Sequence, residues 1–144
     1  MKPWDTVLVQ AAGSGVGSMA IQMAKMVGAR VITTAGSQWK LDKAKEWGAD
    51  EVINYRETPK FSERVQELTG GLGAETVFDT VGGAKPLGEG LALSREGGTV
   101  VLFAHAPEGG RADFEINDLF KHERRVIGTY AGGTAEQAEI FRLL

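Results

Sequence analysis

Short apolar runs alternate with segments of helical period along the chain. Val7 to Gln10 reads as a first strand. The apolar positions that follow, Val16, Ala20, Met23, Ala24 and Val27, recur at spacings of four, three, one and three, which predicts one face of a helix. Gly28 ends that helix as a left-handed cap. Val31 to Ala35 predicts a second strand, and a helix carrying Leu41, Ala44 and Trp47 runs from there to Gly48. Val52 to Tyr55 is the third strand. Thr58 then reads as an N-cap with Pro59 at the first helical position, opening a helix whose buried stripe is Phe61, Val65 and Leu68 and which Gly70 and Gly71 close.

The second half repeats the alternation. Thr76 to Asp79 is a strand, a short helix lies around Leu87 to Leu93, and Thr99 to Phe103 is the fifth strand. Asn117 is expected to cap a brief helix through Phe120, before a sixth strand from Val126 to Tyr130. Thr134 and Gln137 fit a capping box for a last helix with Ile140, Phe141 and Leu144. Six strands alternating with helices, several of them apolar on both faces, predict an α/β fold: a parallel sheet covered on both sides. The simplest arrangement is a doubly wound six-stranded sheet of order 3-2-1-4-5-6, with a ligand crevice at the carboxyl ends of strands one and four.

Composition narrows the function. With 144 residues and 42% hydrophobic content the chain has the size of one domain with a real core, so residues 1–144 are expected to fold as a single unit. Its 16 Lys and Arg against 19 Asp and Glu leave a net charge of -3, which offers no global basic field for a nucleic acid. Cysteine is absent, which excludes disulfides and thiolate metal sites, and His105 and His122 are too isolated in sequence to suggest zinc. No apolar run approaches the roughly 20 residues of a membrane-spanning helix. The start MKPWDTV has no signal-peptide apolar region, so a soluble, cytoplasmic chain is expected.

The candidate chemistry lies in "VLVQAAGSGVGSMAIQMAK", Val7 to Lys25. A turn after the first strand leads sharply into a helix whose first amides lack partners and carry partial positive charge. Small residues from Ala11 to Gly15 leave room there for a pyrophosphate, and Gly17 would let the helix lie close to strands one and four. The strict dinucleotide pattern is incomplete, because Gly13-x-Gly15-x-x-Ser18 lacks the third glycine. A Walker loop is excluded, since Ser18 and Met19 follow Gly17 where a lysine and a serine or threonine are needed.

That turn, followed in order by "GARVITTAG", "KAKEWGADEVINY", "VFDTVGG" and "EGGTVVLFA", resembles the cofactor-binding domain of the medium-chain dehydrogenases/reductases, in particular the quinone oxidoreductase and zinc-type alcohol dehydrogenase branches. The likeness covers essentially the whole chain. In the quinone-reductase branch the turn reads A-x-x-G-x-x-G, so Ala11, Ser14 and Gly17 take those places, and Ser14 brings a hydroxyl that could face phosphate. The resemblance implies a Rossmann-type fold and nicotinamide-dinucleotide binding by Ala12, Gly13, Ser14, Gly15, Val16 and Gly17. It also implies that Val81 and Gly82 flank the cofactor ribose and that Phe103 and Ala104 lie near the nicotinamide. His105 is read as an ordinary packing or surface residue.

The end of strand two bears on which dinucleotide is held. No acidic residue lies between Thr33 and Lys40, and Ala35 fills the place where an NAD-preferring domain commonly puts a carboxylate for the ribose hydroxyls. Ser37 offers a hydroxyl and Lys40 a positive charge, whereas Arg30 lies at the wrong end of the strand. By resemblance to NADPH-using quinone reductases, Lys40 and Tyr55 contact the phosphate-bearing ribose, so NADP(H) is expected in preference to NAD(H).

In the resembled family the substrate pocket and any catalytic zinc come largely from a separate, preceding domain. The sequence is therefore expected to be the cofactor-binding domain of an oxidoreductase acting on a quinone, an enone or an alcohol/aldehyde pair, with no zinc of its own. A noncatalytic nucleotide-sensing or interaction module stays open as the alternative. A short-chain dehydrogenase needs Tyr-x-x-x-Lys, but Tyr55 meets Pro59 and Tyr130 meets Thr134. Beyond the dinucleotide, the expected partner is a second copy paired through the edge strand Val126 to Tyr130; neither nucleic acid nor membrane is expected.

Overall fold

The computed structural model describes residues 1–58, 60–130, 133 and 137. In chain order the elements are β1 (Thr6–Val9), α1 (Gly15–Met26), β2 (Arg30–Ala35), α2 (Gln38–Glu46), β3 (Glu51–Asn54), α3 (Phe61–Leu68), β4 (Ala74–Asp79), α4 (Ala84–Leu93), β5 (Ser94–Leu102), α5 (Ile116–Phe120) and β6 (Arg125–Gly128). The strands form one parallel sheet of order β3-β2-β1-β4-β5-β6, as the alternating pattern predicts. The order of strand addition reverses at β1, with β2 and β3 on one side of it and β4 to β6 on the other, so the loops that follow the carboxyl ends of β1 and β4 run to opposite faces of the sheet and leave a crevice.

Successive strand residues face opposite sides of the sheet, and both sides are apolar. Val7, Val9 and Val31 pack with Ile21, Ala24, Leu41 and Ala44 of α1 and α2. Leu8, Ile32, Val77 and Val100 pack on the other side with Val65, Leu87 and Leu91 of α3 and α4. Central strands buried on both faces account for the continuous β-branched runs.

Several boundaries differ from the sequence reading. β1 begins at Thr6, and β6 stops at Gly128, leaving Tyr130 exposed. β5 starts at Ser94 because it pairs with Ala74 before a register shift leads into the Thr76–Thr99 ladder. Thr58 does not cap α3: its amide donates to the Asn54 carbonyl at 2.8 Å, closing the turn after β3, and Lys60 occupies the cap position. Pro59 lies outside the described residues. Asn117 sits inside α5, which Glu115 precedes as the cap. On α1 the buried face is Gly17, Ile21 and Ala24, while Val16, Met23 and Val27 face outward. The capping box at Thr134 and the helix of Ile140, Phe141 and Leu144 fall outside the described residues. Among the described residues, no helix is long and apolar enough to cross a membrane.

One polar contact ties α1, β2 and β3 together at the opposite edge from the crevice. Asp50 Oδ2 accepts from Lys25 Nζ at 2.7 Å and from the Val31 amide at 2.7 Å. Burial pushes the Asp50 carboxyl up, but these two hydrogen bonds and the charges of Lys25 and Arg30 outweigh it and hold the group below its ordinary value. A carboxylate depressed in the folded state stabilises it above the unfolded pKa near 4, and that contribution disappears as pH falls through the folded value. Asp50→Asn should therefore cost about 1 kcal/mol at neutral pH, a figure kept small by the partial exposure of the pair. Urea unfolding at pH 7 and pH 3 should show the difference between variant and parent shrinking at the lower pH.

Candidate functional site

The turn between β1 and α1 is built by hydrogen bonds that use up some polar groups and leave others open. Ala11 adopts φ +58, a left-handed conformation that is uncommon for a residue with a Cβ. Ala12 is fully buried and its amide donates to the Thr34 carbonyl at 2.9 Å, so it anchors the turn to β2. Ser14 is the N-cap of α1, its Oγ accepting from the Gly17 amide at 2.9 Å and donating to the Ala11 carbonyl at 3.0 Å. The Ser14 hydroxyl is thus spent within the turn, which corrects the expectation that it faces phosphate. A Cβ on Gly17 would collide with the Ala11 carbonyl oxygen, so glycine is required for this close approach.

Among the described residues, the amides of Gly13, Gly15 and Val16 find no acceptor. They stand at the positive end of α1, whose first turn carries no acidic side chain. Gly13 and Gly15 are exposed, and nothing lies within 4 Å of the place a Gly15 side chain would occupy. Three unpaired donors on an open, positively polarised surface are suited to an anion.

The end of β2 adds charge to that surface. The Lys40 side chain lies over Gly13, where a Cβ would collide with its methylene groups, and its ammonium is 5.5 Å from the Trp39 ring. Ser37 precedes α2, and its hydroxyl makes no capping bond, leaving it available. A Cβ on Gly36 would sit 2.6 Å from the Tyr55 hydroxyl and 3.0 Å from Arg56 Nε, so both groups overhang the end of β2. Arg30 begins β2 at the opposite end, and its guanidinium donates to the Leu68 carbonyl at 2.6 Å.

The far wall comes from the loop after β4. Asp79 is fully buried; its Oδ1 accepts from the amides of Val81 at 2.9 Å and Gly82 at 2.8 Å, and its carbonyl accepts from Phe103 and Ala104. One side chain thereby fixes the loop carrying two of the expected site residues. Gln10, Ala11, Thr34, Tyr55, Phe61 and Val81 line a cleft of about 420 Å³ across the carboxyl ends of β1 to β4. Phe103 and Ala104 lie apart from it, lining a cavity of about 300 Å³ with His105, Thr129 and Tyr130, where the His105 and Tyr130 rings meet edge to face at 5.5 Å. The loops bearing Val81 and His105 touch at Gly82, where a Cβ would collide with the His105 carbonyl oxygen.

Three residues of this region were not singled out in the sequence. Arg56 directly follows Tyr55, so a cation beside a strand-end aromatic was its only signal. Asp79 stands within the "VFDTVGG" block as a lone carboxylate in an apolar strand, a usable sign of a buried structural acceptor. Gln10, buried with an Oε1 that has no partner among the described residues, carried no sequence signal. No group of three His, Cys, Asp or Glu side chains among the described residues could hold a metal ion.

Comparison with known proteins gives a consistent picture. The zinc-binding dehydrogenase family model matches residues 15–144. A quinone oxidoreductase of Salmonella typhimurium is 48% identical over 82 residues, which is 57% of this chain and 25% of that protein. A solved NAD-dependent alcohol dehydrogenase superimposes with a TM-score of 0.83 at 36% identity, over 99% of this chain and 40% of its own. A mycobacterial protein complexed with NADPH does so with a TM-score of 0.77 at 37% identity, over 90% of this chain and 40% of its own. The chain therefore spans well under half the length of these relatives.

The contact at Gly17 can be tested directly. Gly17→Val should destabilise the fold by about 1 to 3 kcal/mol, because neither the Ala11 carbonyl nor the helix can retreat without breaking the Ser14 cap. Urea denaturation read by circular dichroism would measure it.

Proposed function

This chain belongs to the zinc-binding dehydrogenase family, and from that premise we propose that residues 1–144 are a single NADP(H)-holding domain of an oxidoreductase. The observation that carries the reading is the set of unpaired amides at Gly13, Gly15 and Val16, overhung by Lys40 and unaccompanied by any carboxylate at the end of β2. The cofactor fits this surface chemically: open donors for a pyrophosphate, then cations and hydroxyls for a second phosphate on the adenosine ribose. A metal does not fit, because cysteine is absent and no ligand cluster exists among the described residues.

When bound, the nicotinamide supplies or accepts hydride. The chain's own residues bind and orient it. The Gly13, Gly15 and Val16 amides take the pyrophosphate, with Ala12, Ser14 and Gly17 shaping the turn beneath. Ser37, Lys40 and Tyr55 take the 2'-phosphate, joined by Arg56. Val81 and Gly82, pinned by Asp79, wall the ribose, and Phe103 with Ala104 backs the nicotinamide. The hydride partner is a quinone, an enone or an alcohol/aldehyde pair, met in a pocket completed by residues outside this sequence.

A carboxylate at the end of β2 would repel a 2'-phosphate; Ala35 removes that repulsion, and Lys40 replaces it with attraction. Titration calorimetry should accordingly find NADPH bound more tightly than NADH. Lys40→Ala should weaken NADPH by about 1 to 2 kcal/mol and leave NADH nearly unchanged. A tenfold preference for NADH would refute the assignment.

The partner we propose besides the cofactor is a second copy of the chain. Among the described residues β6 is the sheet's edge, paired only with β5, and Ile127 on it is 47% exposed. An edge with open backbone groups and an apolar side chain is suited to pairing with its own copy. Sedimentation should give a mass that doubles with concentration; a monomer at the highest concentration would count against the pairing.

A further inference from the structure

The sheet has a second cleft at its amino-terminal edge, a strand's length from the nucleotide surface. It measures about 560 Å³ and is lined by Gln66, Arg95, Glu96, His122 and Arg124 among others. We propose that this cleft is a binding site for a small oxyanion, a phosphate or carboxylate group, held chiefly by Arg124 with Arg95 beside it.

The basic side chains of this cleft are unequally partnered. Arg95 is paired with Glu75 at 2.6 Å, and His122 Nδ1 faces Glu96 at 3.2 Å. The Arg124 guanidinium has no hydrogen bond or ion pair to any described residue, and its Nε is shielded from solvent without an acceptor. A buried guanidinium donor is rarely left unsatisfied, because an unmade hydrogen bond to a charged group is costly. Its planar fork matches the two oxygens of a carboxylate or phosphate.

The surrounding loop is held in place rather than free to turn the side chain away. Glu123, immediately before Arg124, takes φ +52, an uncommon left-handed conformation for a side-chain-bearing residue. The His122 carbonyl accepts from the Gly97 amide at 2.8 Å, the Gly97 carbonyl accepts from Arg125 at 3.0 Å, and the Arg124 amide donates to Leu119 at 3.2 Å. These bonds fix the backbone on both sides of Arg124, so a cation with no counter-charge among the described residues is presented to the cleft by a rigid frame. Glu96, whose side chain is 80% exposed, lies at the cleft's solvent-facing side with His122 as its partner. The chain's net charge of -3 and the confined cleft favour one compact anion over a polyanion.

The test is a titration of the 144-residue chain with inorganic phosphate, and in a second arm with acetate, at ionic strength held constant with chloride. It is followed by nitrogen-proton NMR of the Arg124 Nε–H and of the His122 and Gly97 amides. Saturable shifts of these three signals are expected. Arg124→Gln should weaken the response of the two amides at least tenfold without altering any response of the Gly13 to Val16 amides at the other end of the sheet. Tighter binding of phosphate identifies a phosphate site, and tighter binding of acetate a carboxylate site. Non-saturating shifts, shifts confined to the glycine turn, or equal amide affinity in Arg124→Gln would overturn the proposal. The Arg124 Nε signal of the unaltered chain decides the matter even if the variant fails to fold.

Discussion

The carbonyl oxygen of Ala11 and the α-carbon of Gly17 approach so closely that no side chain could stand between them, and the candidate site follows from that contact. It requires Ala11 to take a left-handed conformation and Ser14 to spend its hydroxyl on both sides of the turn. With Ser14 capping Gly17, the amides of Gly13, Gly15 and Val16 are left over at the start of α1. The strain at Ala11 and the missing side chain at Gly17 are what bring an unsatisfied helix terminus to the carboxyl end of β1. Parallel strands on either side, buried on both faces, hold that geometry rigid.

Charge around the turn is arranged by neighbouring elements rather than by the turn itself. Lys40 reaches back from α2 across Gly13, while Tyr55 and Arg56 overhang Gly36 from the loop after β3. On the other side Asp79 is buried and acts through backbone: its carboxylate fixes the Val81 and Gly82 amides, and its carbonyl fixes Phe103 and Ala104. Through its side chain and its backbone carbonyl together, Asp79 thus ties the loop after β4 to the loop after β5.

The alternation of apolar runs was enough to order the sheet, because a strand buried on both faces must be apolar throughout and its crossover must be a helix. Where a choice depended on tertiary contact, the pattern failed. Of the face expected for α1, Ala24 is buried and Ala20 packs on the core, but Val16, Met23 and Val27 face outward, and Ile21 and Gly17, the latter invisible to a hydrophobic count, go inward instead. Thr58 and Asn117 have the residue types of helix caps, but Thr58 closes the preceding turn and Asn117 lies a residue inside α5. Around the turn, Lys40 offered a positive charge soon after the second strand, and Tyr55 was singled out only through the resemblance to NADPH-using quinone reductases. Arg56 was not legible, since nothing in sequence tells that its guanidinium folds back over Gly36, and the engagement of the Ser14 hydroxyl depends on a distance only the folded turn sets.

The central claim is that the open amides of the glycine turn are the cofactor's anchor. Residue-resolved amide hydrogen exchange, with and without saturating NADPH, tests it most directly. Gly13, Gly15 and Val16 should exchange rapidly in the free chain and become protected when NADPH is bound, because each gains an acceptor. Binding of NADPH that leaves these three amides exchanging as fast as before, with protection appearing elsewhere, would contradict it.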